Sequence, residues 1–452
     1  MITNKYSSKL KINFKMTSPL ETFSRSPESE IPPLITPIMS AIKSKTLGIN
    51  TITLDKSLGK GAFGTVYLCR DENGEELAVK CIKSKDLSAV SGIPSLIEAS
   101  IMSTIHHPYL SKALKIHSTP EKLYIIQELA ISDLRVYRLN HFPPETTMIE
   151  WIHMIAQAIA CLHKYDIIHG DIKSSNILIF PDQRIKLTDF TLSTNVHWKK
   201  NYKPCTPTHR PLEVWLDDKW DQSIDIWAFG CTIFEIVYGK SLFIYQARDA
   251  SINALIDWCK YLPAVYQKDW PIAGSNMGFP AGLKASYRDC FHYSFALPDS
   301  FHTSSPLNSL ILSMLTMSKR PTIQEILTNP LFEKMMLFPS MIISTPVTTL
   351  LPKTESKIRE QISLLTTDET TIDLAYNIYL RVTGMINSND RLKLLTCTWI
   401  AHKLIYRENL SIANYTTAPH YDFHEILQME RSICNYLSYR LFYKPTQMMI
   451  KL

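Results

Sequence analysis

Two carboxylates and one amide fall close together near the middle of this 452-residue chain. Asp171 and Asn176 lie in His169-Gly170-Asp171-Ile172-Lys173-Ser174-Ser175-Asn176, and Asp189 opens Asp189-Phe190-Thr191 shortly after. A carboxylate and an amide oxygen are hard ligands suited to Mg²⁺. A second carboxylate can orient a hydroxyl and take its proton. Upstream, Gly59-Lys60-Gly61-Ala62-Phe63-Gly64-Thr65-Val66 is a glycine-rich turn. Its missing side chains let backbone N–H groups approach phosphate. Lys80 ends Leu77-Ala78-Val79-Lys80, and Glu98 sits in Pro94-Ser95-Leu96-Ile97-Glu98. This set of groups is the one phosphoryl transfer needs. That reaction depends on positioned phosphates, metal ions and an oriented acceptor hydroxyl more than on covalent help.

Local patterns place these residues on elements. Thr51 to Leu54 and Val66 to Cys69 read as strands flanking the glycine turn, and Leu123 to Ile126 reads as another. Pro94 suits a first helical turn. Ile97, Ile101 and Ile105 then recur every fourth residue, which predicts a helix with one apolar face. Trp151 to His163 predicts a second, with Ile152, Ile155, Ile159 and Leu162 near one stripe. Ile177 to Ile179 and Ile185 to Leu187 read as a short hairpin between the Asn176 and Asp189 positions.

In this order, the motifs resemble those of eukaryotic protein kinases. The resemblance implies a bilobal α+β fold, with a β-rich N-lobe and an α-helical C-lobe. Asp171 would be the catalytic base, and Lys173 would neutralise the γ-phosphate. Asn176 and Asp189 would hold Mg²⁺. Lys80, paired with Glu98, would reach the α/β-phosphates of ATP. Gly59, Lys60, Gly61, Ala62, Phe63, Gly64, Val66 and Ala78 would enclose the nucleotide. Gln127 matches the gatekeeper position, Glu128 and Ala130 match the adenine linker, and Asp133 lies at the ribose mouth. Lys173 resembles the serine/threonine-specific members. Two letters depart from the family pattern: Gly170 stands for the usual Arg, and Thr191 for the usual Gly.

Pro94 to Glu98 further resembles the Pro-Ser-Thr-Ala-Ile-Arg-Glu helix of cyclin-dependent kinases. Ala62 and Phe63 stand where those kinases carry inhibitory Thr and Tyr sites, and neither can be phosphorylated. Pro211-Leu212-Glu213 matches the end of the activation segment, and its Glu should pair with Arg320. Asp225-Ile226-Trp227-Ala228-Phe229-Gly230 matches the helix that anchors the catalytic loop. Counting back from Glu213, Arg210 falls on the arginine that shapes the proline-binding site, and Thr206 on the threonine beside the catalytic Asp. The position of the activating threonine falls on Asn201. Charge and counter-charge, the phosphorylated Thr and the catalytic-loop Arg, are therefore absent together. That predicts an activation segment ordered by protein contacts and not by phosphate.

Residues 1–50 mix Ser, Thr, Pro and Lys, with seven Lys or Arg against three Glu, and read as a flexible tail. Ser18-Pro19, Ser26-Pro27 and Thr36-Pro37 could be phosphorylation sites within it. The kinase-like region spans 51–340, and the proline-containing stretch 341–356 reads as a linker. Residues 357–452 predict a second, all-helical domain. Its helices are Lys357 to Leu365, a stripe of Ile372, Ala375, Tyr379 and Val382, another of Leu392, Leu395 and Trp399, and a third from Ile426 to Leu441. Thr398-Trp399-Ile400-Ala401-His402-Lys403 and Met429-Glu430, with Pro445-Thr446 beyond, resemble the cyclin box. In cyclins the matching Lys and Glu bind the kinase, so Lys403 and Glu430 would do so here. A helical appendage of other origin stays open.

Bulk properties are consistent with this. The apolar share of 45% permits a large core, and the net charge of +6 is small for the length and gives no basis for nucleic-acid binding. Nine scattered cysteines without a Cys-x-x-Cys pair favour reduced thiols, hence a cytoplasmic or nuclear protein. Neither a secretion signal nor a membrane-length apolar run is legible. The sequence thus predicts an ATP- and Mg²⁺-dependent serine/threonine kinase of cyclin-dependent type, acting on Ser/Thr-Pro sites and activated in cis. Two alternatives stay open. One is a pseudokinase scaffold. The other is a cyclin-like domain that serves a separate kinase or transcription partner.

Overall fold

The computed structural model describes residues 10–13, 51–61, 64–83, 93–119, 122–198, 202–215, 218–244, 301–302, 304–316, 319–335, 337, 341–342, 352–383, 385, 389–406, 421 and 423–441. A β-rich layer comes first. Strands β1 (Leu10–Asn13), β2 (Thr51–Gly61), β3 (Gly64–Asp71) and β4 (Glu76–Lys83) precede helix α1 (Ile93–Thr104) and the short β5 (Ile105–His106). Strands β6 (Lys115–Ser118) and β7 (Lys122–Glu128) complete a six-stranded antiparallel sheet of order β1-β2-β3-β4-β7-β6. Alternation explains its faces. Leu77 and Val79 of β4 bury with Ile52, Leu54, Cys69, Tyr124 and Ile126 on one side. Ile82 of the same strand joins the opposite core with α1.

The helical lobe is built from β8 (Ser132–Asp133), α2 (Leu134–Asn140), α3 (Glu145–Lys164), β9 (Ile167–Ile168), β10 (Ile177–Ile179), β11 (Ile185–Leu187) and β12 (Thr194–Asn195). Helices α4 (Leu212–Trp215), α5 (Ser223–Tyr238), α6 (Pro306–Met314) and α7 (Ile323–Leu327) follow. Helix α5 is buried nearly all round, with Trp227, Phe229 and Phe234 fully enclosed, as its almost uninterrupted apolar sequence requires. Arg138 ties α2 to its C-terminal end by donating to the Ile236 and Val237 carbonyls at 2.6 and 3.2 Å. The β-sheet lobe and helical lobe agree with the bilobal expectation.

Within the stretches read as tail and linker, the described residues 10–13, 341–342 and 352–356 form regular elements. Leu10–Asn13 pairs antiparallel with Thr51–Leu54, adding a strand beside β2. Its Leu-Lys-Ile-Asn alternation suits a sheet edge, where unpaired N–H and C=O groups wait. The Ser/Thr-Pro pairs of that region lie outside the described residues. Strand β13 (Met341–Ile342) pairs with β5, so the chain returns to the end of α1 after leaving the helical lobe. Helix α8 begins at Pro352 and runs to Ser363, five residues ahead of the expected start at Lys357. Proline fits there because a first-turn N–H has no helical partner to lose.

Helices α9 (Glu369–Val382), α10 (Asp390–Tyr406) and α11 (Phe423–Tyr436) complete the C-terminal body. Asp368 caps α9 by accepting from Thr371 N at 2.9 Å. Leu392, Leu395, Trp399 and Ile426 form a small cluster within this body, but the rest of its core is shared. Its Ile372, Ile378, Ile400, Leu404, Ile433 and Leu441 belong to one buried cluster with Ile97, Ile101 and Ile105 of the α1 region. Helix α10 packs on α1, and α11 reaches β6.

Candidate active site

The catalytic loop is fastened from below. Asp225, fully buried at the start of α5, accepts from the backbone N–H of His169 at 2.8 Å and of Gly170 at 2.9 Å, and from His163 at 2.9 Å. Farther along α5, Glu235 accepts from the Ser174 hydroxyl at 2.6 Å. Burial opposes ionisation of Glu235, but His209, Ser174 and Ser241 outweigh it and hold the carboxyl at about 2. Two anchors on one helix thus fix the loop between them.

Above these anchors stands Asp171. Its Oδ1 accepts from the Thr206 backbone N–H at 2.9 Å and from its hydroxyl at 2.7 Å. Its Oδ2 accepts from Lys173 Nζ at 2.8 Å and from Asn176 Nδ2 at 3.0 Å. Lys173 also donates to Thr206 Oγ1 at 2.7 Å, closing a triangle. Burial works against the charge on Asp171. Lys173 and the Thr206 hydroxyl outweigh that, so its carboxyl lies below the usual carboxylate range. Asn176 spends its amide nitrogen on Asp171, so the end left to serve a cation is its oxygen. That oxygen, with the Asp189 carboxylate, is a donor set of the hard kind Mg²⁺ takes.

Asp189 adopts a left-handed backbone, φ 63° and ψ 74°, at the start of a single 3₁₀ turn over Phe190–Leu192. Phe190 is fully buried and meets His169 edge-on at 5.3 Å. Thr191, at the position where glycine is usual, is accommodated without left-handed geometry. Its hydroxyl donates to Asp189 Oδ1 at 2.8 Å. On the far side, Lys80 Nζ lies 3.6 Å from that same Oδ1 and 2.6 Å from Glu98 Oε2. Burial opposes the Lys80 charge, but Glu98 and Asp189 overcome it and raise the value. Glu98 is 2% exposed, and burial pushes its carboxyl up to about 6 against the pull of Lys80.

The nucleotide side is formed by the sheet. Gly59 faces Val66, and Gly61 faces Gly64 across the β2–β3 turn. Gly64 has a steric reason: a Cβ there would sit 2.8 Å from the Cys81 carbonyl oxygen. Ala62 and Phe63, at the turn's tip, lie outside the described residues, and Lys60 is exposed. Val66 is opposite Lys80, and Ala78 opposite Gln127. Glu128 turns its side chain to Lys186 at 2.7 Å, which leaves its backbone as the feature available to a ligand. The neighbouring Ala130 is half-buried. Asp133 caps α2 by accepting from Val136 N at 2.9 Å, so a structural duty competes with the ribose role.

In the activation segment, Arg320 forks onto Glu213 at 2.6 and 3.1 Å. Cys205 is left-handed at φ 64°, and Arg210 donates to its carbonyl at 2.7 Å and to that of Pro204 at 3.0 Å. Asn201, Lys199 and Lys200 lie outside the described residues. Sequence reasoning placed Thr206 and Arg210 but missed the Cys205 turn, because a left-handed cysteine has no composition signal.

Lys403 and Glu430 are brought together at 2.7 Å, and Glu430 also accepts from Trp399 at 3.1 Å. Both are buried, and their described bonds lie within the C-terminal body. The described hydrogen bonds to the kinase lobe come from the segment after α11 instead. Leu441 N donates to the Ser100 hydroxyl of α1 at 2.9 Å, and the Tyr439 side chain bonds to that of Ser118 in β6. Arg381 holds this segment by donating to the Arg440 carbonyl.

Comparison with known proteins gives the following likenesses. The protein kinase domain matches residues 52–332. The SNF-related serine/threonine-protein kinase of Rattus norvegicus is 32% identical over 216 residues, 46% of this chain and 29% of that protein. Serine/threonine-protein kinase ICK of Mus musculus is 28% identical over 300 residues, 63% of this chain and 45% of its own length. Cell division control protein 2 homolog 3 of Trypanosoma brucei brucei is 30% identical over 243 residues, 52% of this chain and 75% of that protein. The chain thus spans less than a third of the first of these relatives and three quarters of the last.

Proposed function

This chain belongs to the protein kinase family, and from that premise we propose that it is an ATP- and Mg²⁺-dependent serine/threonine kinase of cyclin-dependent type, held active by its own C-terminal helical body. One observation carries the reading. Glu98 is paired with Lys80 while the helix that bears it is bonded, at Ser100, to the C-terminal segment at Leu441.

The residues divide the work as follows. Asp171 accepts the proton of a substrate Ser or Thr hydroxyl and aims that oxygen. Thr206 and Lys173 hold Asp171 by three of its four described contacts, and Lys173 stands where charge builds on the transferred group. Lys80 contacts the nucleotide phosphates, and Glu98 fixes its ammonium. Asp189 and Asn176 would hold the divalent cation, which screens phosphate charge when bound. Positioning and preorganised charge supply the rate; no covalent intermediate with the protein is needed.

Proline-directed specificity has its own support. The Cys205 carbonyl is turned away and committed to Arg210. It therefore offers no acceptor to the N–H of the substrate residue after the phosphorylated one. Proline has no N–H and loses nothing there, whereas other residues leave a donor unmet.

The C-terminal body acts as an activator by bracing α1. Linkage in one chain gives it a high effective concentration, so a modest interface suffices. Of the residues that carry its cyclin-box resemblance, Lys403 and Glu430 hold α10 and α11 together. We place the protein in the cytoplasm or nucleus on its cysteine usage. The test is phosphorylation of a Ser-Pro peptide by the full chain, with Asp171→Asn as blank and Tyr439→Ala to loosen the brace. Transfer above blank that falls in Tyr439→Ala supports the reading. ATP binding without transfer would move the weight to a scaffold.

A further inference from the structure

The activation segment holds a bond that the phosphoryl-transfer machinery does not use. Tyr202 donates its hydroxyl to the carbonyl of Leu192 at 2.7 Å. Leu192 ends the turn begun by Asp189, and Tyr202 stands four residues before Thr206. One side chain therefore joins the metal-proximal end of the segment to its substrate-proximal end. The Tyr202 ring rests edge-on against Trp220 at 5.9 Å and 85°, which fixes the direction of the hydroxyl.

Gly170 makes room for this bond. Its backbone is left-handed at φ 75°, and a Cβ there would lie 2.7 Å from the Leu192 carbonyl oxygen and 3.4 Å from Pro204 Cβ. With no side chain at 170, the Leu192 carbonyl settles against the loop and presents its oxygen to Tyr202. The Gly170 carbonyl in turn accepts from Cys205 N at 2.6 Å. Ser193 donates to the His169 carbonyl at 2.9 Å on the other flank. The segment is thus bound to the catalytic loop on both sides of Gly170, and Tyr202 closes the gap between them.

We propose that Tyr202 is the positioning residue of the activation segment, doing through a hydroxyl against the Leu192 carbonyl what a phosphate–arginine pair does elsewhere. The proposal rests on the kinase reading above and deepens it. The platform it holds is Pro204–Thr206, which carries the Asp171 contact and the left-handed Cys205.

The test uses the full chain and Tyr202→Phe, which removes one O–H and keeps the ring on Trp220. The KM for a Ser-Pro peptide should rise about five-fold, the ratio carried by one ordinary hydrogen bond, while kcat and the KM for ATP hold. Amide hydrogen exchange over 192–206 should quicken in the same variant. Gly170→Ala, which crowds the Leu192 carbonyl, should quicken the same exchange. An unchanged peptide KM, or kcat and both KM values moving together with a lowered melting temperature, would overturn the assignment. If the wild-type chain transfers no phosphate, the kinase reading fails and exchange alone decides: quickened exchange in Tyr202→Phe upholds the latch, and unchanged exchange sinks it.

Discussion

The backbone N–H of Leu441 donates to the Ser100 hydroxyl at 2.9 Å, joining two residues 341 positions apart. Ser100 lies two residues beyond Glu98 on the same helix and is fully buried. Its replacement by Ala strands a buried donor, which costs about 1–3 kcal/mol. Ser100→Ala should therefore lower kcat/KM without changing any residue of the active site. Restoration of wild-type rate in Ser100→Thr would show that the hydroxyl, and not the helix alone, matters. A Ser100→Ala chain with wild-type activity would count against bracing of α1 by the C-terminal body.

Lys80 meets two carboxylates, Glu98 and Asp189, and nothing else described can replace its charge there. Lys80→Met should reduce phosphate transfer by at least about a hundred-fold, the scale of losing one preorganised charge. Its circular dichroism and melting cooperativity should stay native-like. Retained transfer would remove Lys80 from the site.

Acid should act on the same pair. Glu98 titrates at about 6, above the ordinary glutamate value of 4.5, through burial. Above that pH it is ionised and holds Lys80; below it the carboxyl is neutral and the pairing weakens. The rate should fall as pH drops through about 6, a limb distinct from that of Asp171, whose value is lowered. The stability effect has the opposite sign. A carboxyl raised in the fold contributes stability that is full below 4.5 and lost as pH rises through about 6. A pH–rate profile beside a pH–melting profile should show the two moving apart.

Thr191 holds Asp189 Oδ1 with its hydroxyl, in a place where glycine would allow the turn to pivot. Thr191→Val keeps shape and removes the bond, so affinity for Mg²⁺ with a nucleotide should fall about five-fold. Thr191→Ser should recover it. Calorimetric titration measures this without turnover, and equal affinity in all three chains would separate Thr191 from Asp189.

Arg210 carries the proline preference if the Cys205 carbonyl is what excludes other residues. Arg210→Ala frees that carbonyl, and the ratio of kcat/KM for Ser-Pro over Ser-Ala peptides should drop about ten-fold, the equivalent of one hydrogen bond regained by the competitor. A ratio that stays constant would place specificity elsewhere.

Much of the site could be read from letters alone because its residues are ordered along the chain and each has a distinctive chemistry. Asp171, Asn176 and Asp189 stood out by their types and spacing, and the bilobal fold was implied by the family that those motifs resemble. Contacts made by backbone geometry could not be read. The left-handed Cys205 and the Tyr202–Leu192 bond depend on how a loop folds back, which no periodicity encodes. Helix α10 shows the same limit in another way. From Leu392 to Ile405 its residues are buried almost without interruption, because it packs on its own bundle and on α1 together. A helix covered on two sides loses the polar stripe that would have marked which face meets the kinase. Leu10–Asn13 was passed over because four alternating residues are too short to stand out in a polar tail.

Strand β13 returns the chain to β5, directly after α1, before the C-terminal helices begin. Where kinase and activator are separate molecules, output follows the supply of the activator, which can be made and destroyed on a schedule. If the C-terminal body is the activator proposed above, each ribosome transit delivers both in a ratio of one to one. Dilution would not separate them, and an inhibitor competing for that docking face would meet a partner already in place. Control would then shift to the gene or to destruction of the whole chain.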